Sequence, residues 1–171
     1  HNNVITNLSG VISTGGGGVR MGDGYPRFFN NIVMNNSARY GAGIVLNYTA
    51  GQLKNNIICS NYGSLQYGAG SGVWINGNNP RQIIFINNTV AGNSCVSGYS
   101  GIYGGASALF KNNIIWGNPS PANTQVSYSA GMTYSLIQGV NSGIGNINSD
   151  PLFADTNYIL QNASPCIDKG D

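Results

Sequence analysis

The chain contains no glutamate, and charged residues make up only 7% of its 171 positions, against about a quarter in ordinary globular domains. Four of the five aspartates, Asp150, Asp155, Asp168 and Asp171, fall near the end, which leaves Asp23 as the lone carboxylate of the preceding sequence. Glycoside hydrolysis wants two carboxylates facing each other across the bond, and lyase chemistry wants several hard oxygens around calcium with a base beside them. Neither set is assembled easily here, and the single histidine, His1, cannot complete a Ser/His pair. No catalytic residue is therefore expected, although a polysaccharide-lyase-like activity is the alternative to be tested. Cys59, Cys95 and Cys166 share no metal-ligand spacing, so no metal and no cofactor is expected. Three isolated thiols, or one disulfide and a free thiol, remain open. The seven basic residues form no run, which speaks against nucleic acid and anionic membranes. No stretch of 18 apolar residues exists, so direct membrane insertion by a helix is not expected.

What the chain has instead is a repeated phrase. Asn-Asn followed by Ile or Thr and then Ile or Val occurs at Asn30-Asn31-Ile32-Val33, Asn55-Asn56-Ile57-Ile58, Asn87-Asn88-Thr89-Val90 and Asn112-Asn113-Ile114-Ile115, at intervals of 25, 32 and 25 residues. A weaker copy opens the chain at Asn2-Asn3-Val4-Ile5. Periods of this length mark one supersecondary unit per repeat, stacked into a solenoid. Between the pairs runs a second phrase of small residues and an aliphatic: Gly17-Gly18-Val19, Ala42-Gly43-Ile44, Ser71-Gly72-Val73 and Ser100-Gly101-Ile102. A third apolar stretch precedes each pair and holds Phe28, Leu53, Phe85 and Phe110.

Alternation orients these strands. Burying the Arg20 charge would be costly, so Val19 and Met21 are expected to point inward, and the same register turns Ile44, Leu46, Val73 and Ile75 inward. Thr89 sets Val33, Ile58, Val90 and Ile115 inward in the same way. Three short strands joined by Gly and Asn corners, without helical periodicity, predict an all-β right-handed parallel β-helix of about six rungs of three strands. The inward asparagines Asn31, Asn56, Asn88 and Asn113 are expected to stack as a ladder, the alternative being that the pairs merely tolerate left-handed turns. Insertions around Tyr62 to Tyr67 and around Asn76 to Pro80 account for the longer interval. Residues 1–118 are read as the regular rungs and 119–171 as the final rungs and a terminal cap of the same domain.

The succession Asn112-Asn113-Ile114-Ile115-Trp116-Gly117-Asn118, Tyr134-Ser135-Leu136-Ile137-Gln138-Gly139, Gly145 to Phe153 and Ser164-Pro165-Cys166-Ile167-Asp168 resembles the C-terminal part of secreted bacterial β-helix repeat proteins. More narrowly it is similar to the choice-of-anchor Q group, related in fold to pectate lyases and polymorphic outer-membrane proteins. The resemblance implies an exported, surface-displayed protein, usually joined to an anchoring domain, and implies no catalytic set.

The expected function is a non-catalytic secreted or cell-surface scaffold with adhesive properties. Its outward residues carry the candidate site: Ile32, Ile57 and Ile114, with Trp116, after the Asn pairs, and Arg20, Val45, Trp74 and Tyr103 on the second strand. Trp74, Tyr103 and Trp116 suit stacking on sugar rings or on a surface protein. One face would then expose apolar rows unless a loop or the C-terminal segment covers it. The sparse charge and the strand edge at Asn2-Asn3-Val4 predict self-association, as a homo-oligomer or a filament.

Overall fold

The computed structural model describes residues 4–6, 15–64, 70–77, 82–128 and 131–171. The Asn2-Asn3 pair and parts of both expected insertions lie outside the described residues. Every strand pair is parallel, and the elements wind into a β-solenoid of about four turns, with four strands stacked in one of its sheets. Among the described residues four sheets run along the stack. Sheet I follows the Asn pairs and holds Val4–Ile5, Ile32–Met34, Ile57–Cys59, Thr89–Ala91, Ile114–Trp116 and Leu136–Ile137. Sheet II is a set of two-residue strands, Ser37–Ala38, Tyr62–Gly63 and Ser94–Cys95. Sheet III comprises Val19–Gly22, Ile44–Asn47, Val73–Asn76 and Ile102–Gly104, and sheet IV Arg27–Phe29, Gly51–Lys54, Ile83–Ile86, Leu109–Lys111 and Met132–Thr133.

Two expectations change. The turns number about four, not six, because the final part of the chain leaves the solenoid pattern: Phe153 and Leu160, read as a terminal rung, bridge each other antiparallel. Three of the turns also carry a fourth strand among the described residues, that of sheet II, too short to show its own alternation. The inward register holds. Phe28, Leu53, Phe85, Phe110 and Met132 are register partners in sheet IV, and Leu53, Phe85, Phe110 and Met132 are buried. Val33, Ile58, Val90, Ile115 and Ile137 form the matching column from sheet I. Burying each of these side chains contributes roughly 1.5 to 3 kcal/mol.

The Asn pairs do two jobs at once. Asn30, Asn55, Asn87 and Asn112 adopt φ between 55° and 57°, the left-handed region that asparagine enters more readily than most residues. Their partners Asn31, Asn56, Asn88 and Asn113 turn inward and bond from rung to rung. The Nδ2 of Asn31 donates to Oδ1 of Asn56 (3.2 Å), Asn56 to Asn88 (2.9 Å) and Asn88 to Asn113 (3.3 Å). Asn113 hands its backbone N–H to Ser135 Oγ, and the Ser135 N–H passes to Asn146 Oδ1 at 3.0 Å.

A second ladder stands at the other end of sheet I. Asn36, Asn61 and Asn93 each donate Nδ2 to the Oδ1 of the next member at 2.9 Å, the last being Asn118. Asn118 in turn donates to Gln125 Oε1. Each is preceded by a residue in the left-handed region: Asn35, Ser60, Gly92 and Gly117. The glycine phrase packs against this column. A Cβ on Gly43 would lie 2.5 Å from Gly72 O and 2.9 Å from Asn61 Nδ2, and one on Gly72 would meet Gly101 O at 2.7 Å. No larger residue fits between adjacent turns there.

Candidate functional site

Sheet III sets Arg20, Val45, Trp74 and Tyr103 in one outward column, because each is the register partner of the next. Strands in such a column lie about 4.8 Å apart. Arg20 is exposed, yet Val45 is fully buried at 0%. Alternation alone cannot show this, since the cover comes from the loops that enter the sheet. Tyr40 packs against Trp74 with centroids 4.5 Å apart and the rings tilted by 52°, and Val45 Cγ2 lies against the neighbouring Gly41 backbone. Tyr99 packs against Tyr103 at 5.8 Å with the rings tilted by 39°. Trp74 is half-buried as a result, while Tyr103 keeps 38% of its surface exposed. Four aromatic rings are thus gathered on one rigid face. Tyr40 and Tyr99 escaped the sequence reading, although each lies just before a small-residue phrase, in Tyr40-Gly41-Ala42-Gly43 and Tyr99-Ser100-Gly101.

Trp116, Ile32, Ile57 and Ile114 stand on sheet I, a different face, so the six candidate residues do not form one surface. All four are half-buried. Their neighbours Cys59 and Ala91, also outward by alternation, are only 3% and 1% exposed. The C-terminal segment covers them. Its hairpin, closed by the Phe153–Leu160 bridge, presents Tyr158, which packs edge-on against Phe153 and reaches Ala91 O with its hydroxyl at 3.4 Å. At the far end Lys111 Nζ meets Asp171 Oδ2 at 2.6 Å, and the Asn112 carboxamide both donates to Asp171 O and accepts from Asp171 N. Instead of only closing the end of the core, this segment runs back along the outside of the sheet. Val140 packs on the last core residues.

The burial has an electrostatic consequence. Loss of solvent pushes the Cys59 thiol up to about 11, although Ser60 and Tyr158 hydrogen bonds work against the shift. Burial also raises the Tyr158 phenol, and Cys59 beside it adds to this. Cys59, Cys95 and Cys166 are all free thiols.

Three of the five aspartates are engaged in local structure. Asp150 Oδ1 accepts the Leu152 N–H at 2.8 Å. Asp155 accepts from Asn157 and Ile159, and the Asn157 side chain is the first cause holding its carboxyl below the ordinary range. Asp171 pairs with Lys111. No protein-family model matches the chain, and neither a curated protein nor a solved structure does.

Proposed function

We propose that this β-solenoid is a non-catalytic, exported or surface-displayed scaffold that holds a glycan on the outer face of sheet III. The observation that carries the reading is the aromatic group of Tyr40, Trp74, Tyr99 and Tyr103 on a face whose strand Val73–Asn76 is paired in parallel on both sides. Aromatic rings offer sugars a flat apolar surface beside hydrogen-bonding groups. Asn76, whose Nδ2 donates to Asn47 Oδ1 at 2.8 Å, supplies such groups at the end of the same strands. Export and surface display rest on the resemblance to choice-of-anchor Q proteins. The engagement of Asp150, Asp155 and Asp171 in turns and an ion pair supports binding over lyase or hydrolase chemistry.

Affinity electrophoresis in gels cast with neutral and acidic polysaccharides tests this. The chain should be retarded by at least one of them, and Tyr103→Ala should abolish most of the retardation. Retardation unchanged in Tyr103→Ala and Trp74→Ala would move the binding surface elsewhere.

A second reading is self-assembly at the N-terminal end, supported by polarity in the structure. Val4–Ile5, Val19–Gly22 and Arg27–Phe29 are the outermost strands of sheets I, III and IV among the described residues. The buried Oδ1 of Asn36 has no partner there. At the opposite end Gln125 closes the second ladder, and its Nε2 turns back to Asn118 O. A sheet edge is where a further strand, from this chain or from another, can add. Light scattering tests it: Val4→Lys should dissolve oligomers that Ile57→Lys leaves intact, and a monodisperse 17.9 kDa species at high concentration contradicts assembly.

A further inference from the structure

The C-terminal segment does not lie flat on sheet I. Between its two attachments, at Tyr158 and at Asp171, it leaves a cavity of about 220 Å³ against the last turn of the solenoid. The floor is apolar: Ile114 and Leu136 are register partners in sheet I, and Leu160 of the hairpin closes the other side. Tyr134 forms a wall. A cavity of about 150 Å³ is enough for a benzene ring, so this one has room for a ring with a small polar group attached.

The rim has one sign of charge. Lys169 lines the cavity, and it makes no ion pair among the described residues, where Lys111–Asp171 is the pair formed. Its chain neighbour Asp168 is exposed and does not line the cavity. The Asp171 carboxylate is held by Lys111. Cys166, also in the lining, adds no negative charge, since burial raises its thiol pKa. Asn87 also lines the cavity and brings a neutral polar side chain. A lysine and apolar side chains in one lining, with no carboxylate among them, select for a carboxylate carried on a compact hydrocarbon body.

We infer that this cavity is a binding site for a compact organic carboxylate, its apolar body on Ile114, Leu136 and Leu160 and its charge on Lys169. The site is on a different sheet from the aromatic face and does not depend on the glycan reading.

Ligand-observed NMR titration of the full chain tests the assignment with benzoate and its neutral isostere benzamide. Benzoate should bind saturably, and benzamide about tenfold more weakly, the step that one charge-assisted contact makes. Lys169→Met, at an exposed position where the fold has nothing to lose, should bring benzoate down to the benzamide level and leave benzamide unchanged. Lys54→Met on sheet IV should alter neither. No saturable benzoate binding, equal affinity for benzoate and benzamide, or wild-type benzoate affinity in Lys169→Met each overturns the proposal. Tighter binding of galacturonate than of benzoate also overturns it, because the body recognised would then be a sugar.

Discussion

Asn56 binds the same oxygen of Asn88 twice: its side-chain Nδ2 lies 2.9 Å and its backbone N 3.0 Å from Asn88 Oδ1. One carboxamide therefore satisfies two buried donors of the turn before it. Its own Nδ2 returns to Leu53 O and Ile86 O, carbonyls at the sheet IV corner. Replacing Asn88 by Ala strands several buried polar groups, each costing about 1 to 3 kcal/mol. The variant should lose on the order of 3 kcal/mol or more in urea unfolding. Asn87→Gly, which keeps the left-handed φ of 57° accessible, should be close to neutral, and Asn87→Ala should cost about 1 kcal/mol. Equal losses at 87 and 88 would mean that the two members of the pair do not divide the work.

Phe85 and Lys54 test the strand faces. Phe85 is fully buried against Phe110, with centroids 5.4 Å apart, while Lys54 lies outside, its ammonium 5.9 Å from the Phe29 ring. Phe85→Ala should destabilise by about 3 to 5 kcal/mol, and Lys54→Ala by well under about 1 kcal/mol.

The Cys59 thiol makes stability depend on pH in the alkaline range. Its pKa in the folded chain, about 11, lies above the ordinary value of 9.0, so the unfolded chain releases this proton first. Stability is fully present below pH 9 and falls as pH rises toward 11, the sign required when the unfolded state binds fewer protons. Tyr158, also raised, acts in the same direction. Cys59→Ala should flatten the fall in unfolding midpoint between these pH values, and an unchanged slope would contradict the assignment.

Tyr158 covers the face that Cys59 shares with Ala91. Tyr158→Ala should therefore speed alkylation of Cys59, followed by peptide mass spectrometry, with the reaction at Cys95 unchanged as an internal reference. Reaction at Cys59 as fast in the wild type as in the variant would mean that the segment does not protect this face.

Much of the scaffold was legible in the sequence because the signals recur in register. The Asn pairs located one ladder, and the polar exceptions Arg20 and Thr89 fixed the inward faces. The second ladder was equally regular, with Asn36, Asn61, Asn93 and Asn118 each five residues after the first ladder's member. It went unread because the left-handed residue before it varies as Asn35, Ser60, Gly92 and Gly117, all able to serve one backbone conformation. The outward surface was harder. Alternation gives the side of a sheet but not what lies over it, so Val45, Cys59 and Ala91 read as exposed and are buried. Their cover comes from the loop at Gly41 and from the C-terminal segment, contacts between residues distant in sequence or on irregular backbone.

Binding without turnover is the centre of the functional account, and one experiment reads both halves. The polysaccharide that retards the chain most is incubated with it, with and without calcium, and retained protein and newly formed reducing or unsaturated ends are measured in the same samples. The account predicts retention that depends on Tyr103 and no release of ends above the protein-free control. Release of ends that disappears in Asp23→Asn or Asp150→Asn would contradict it.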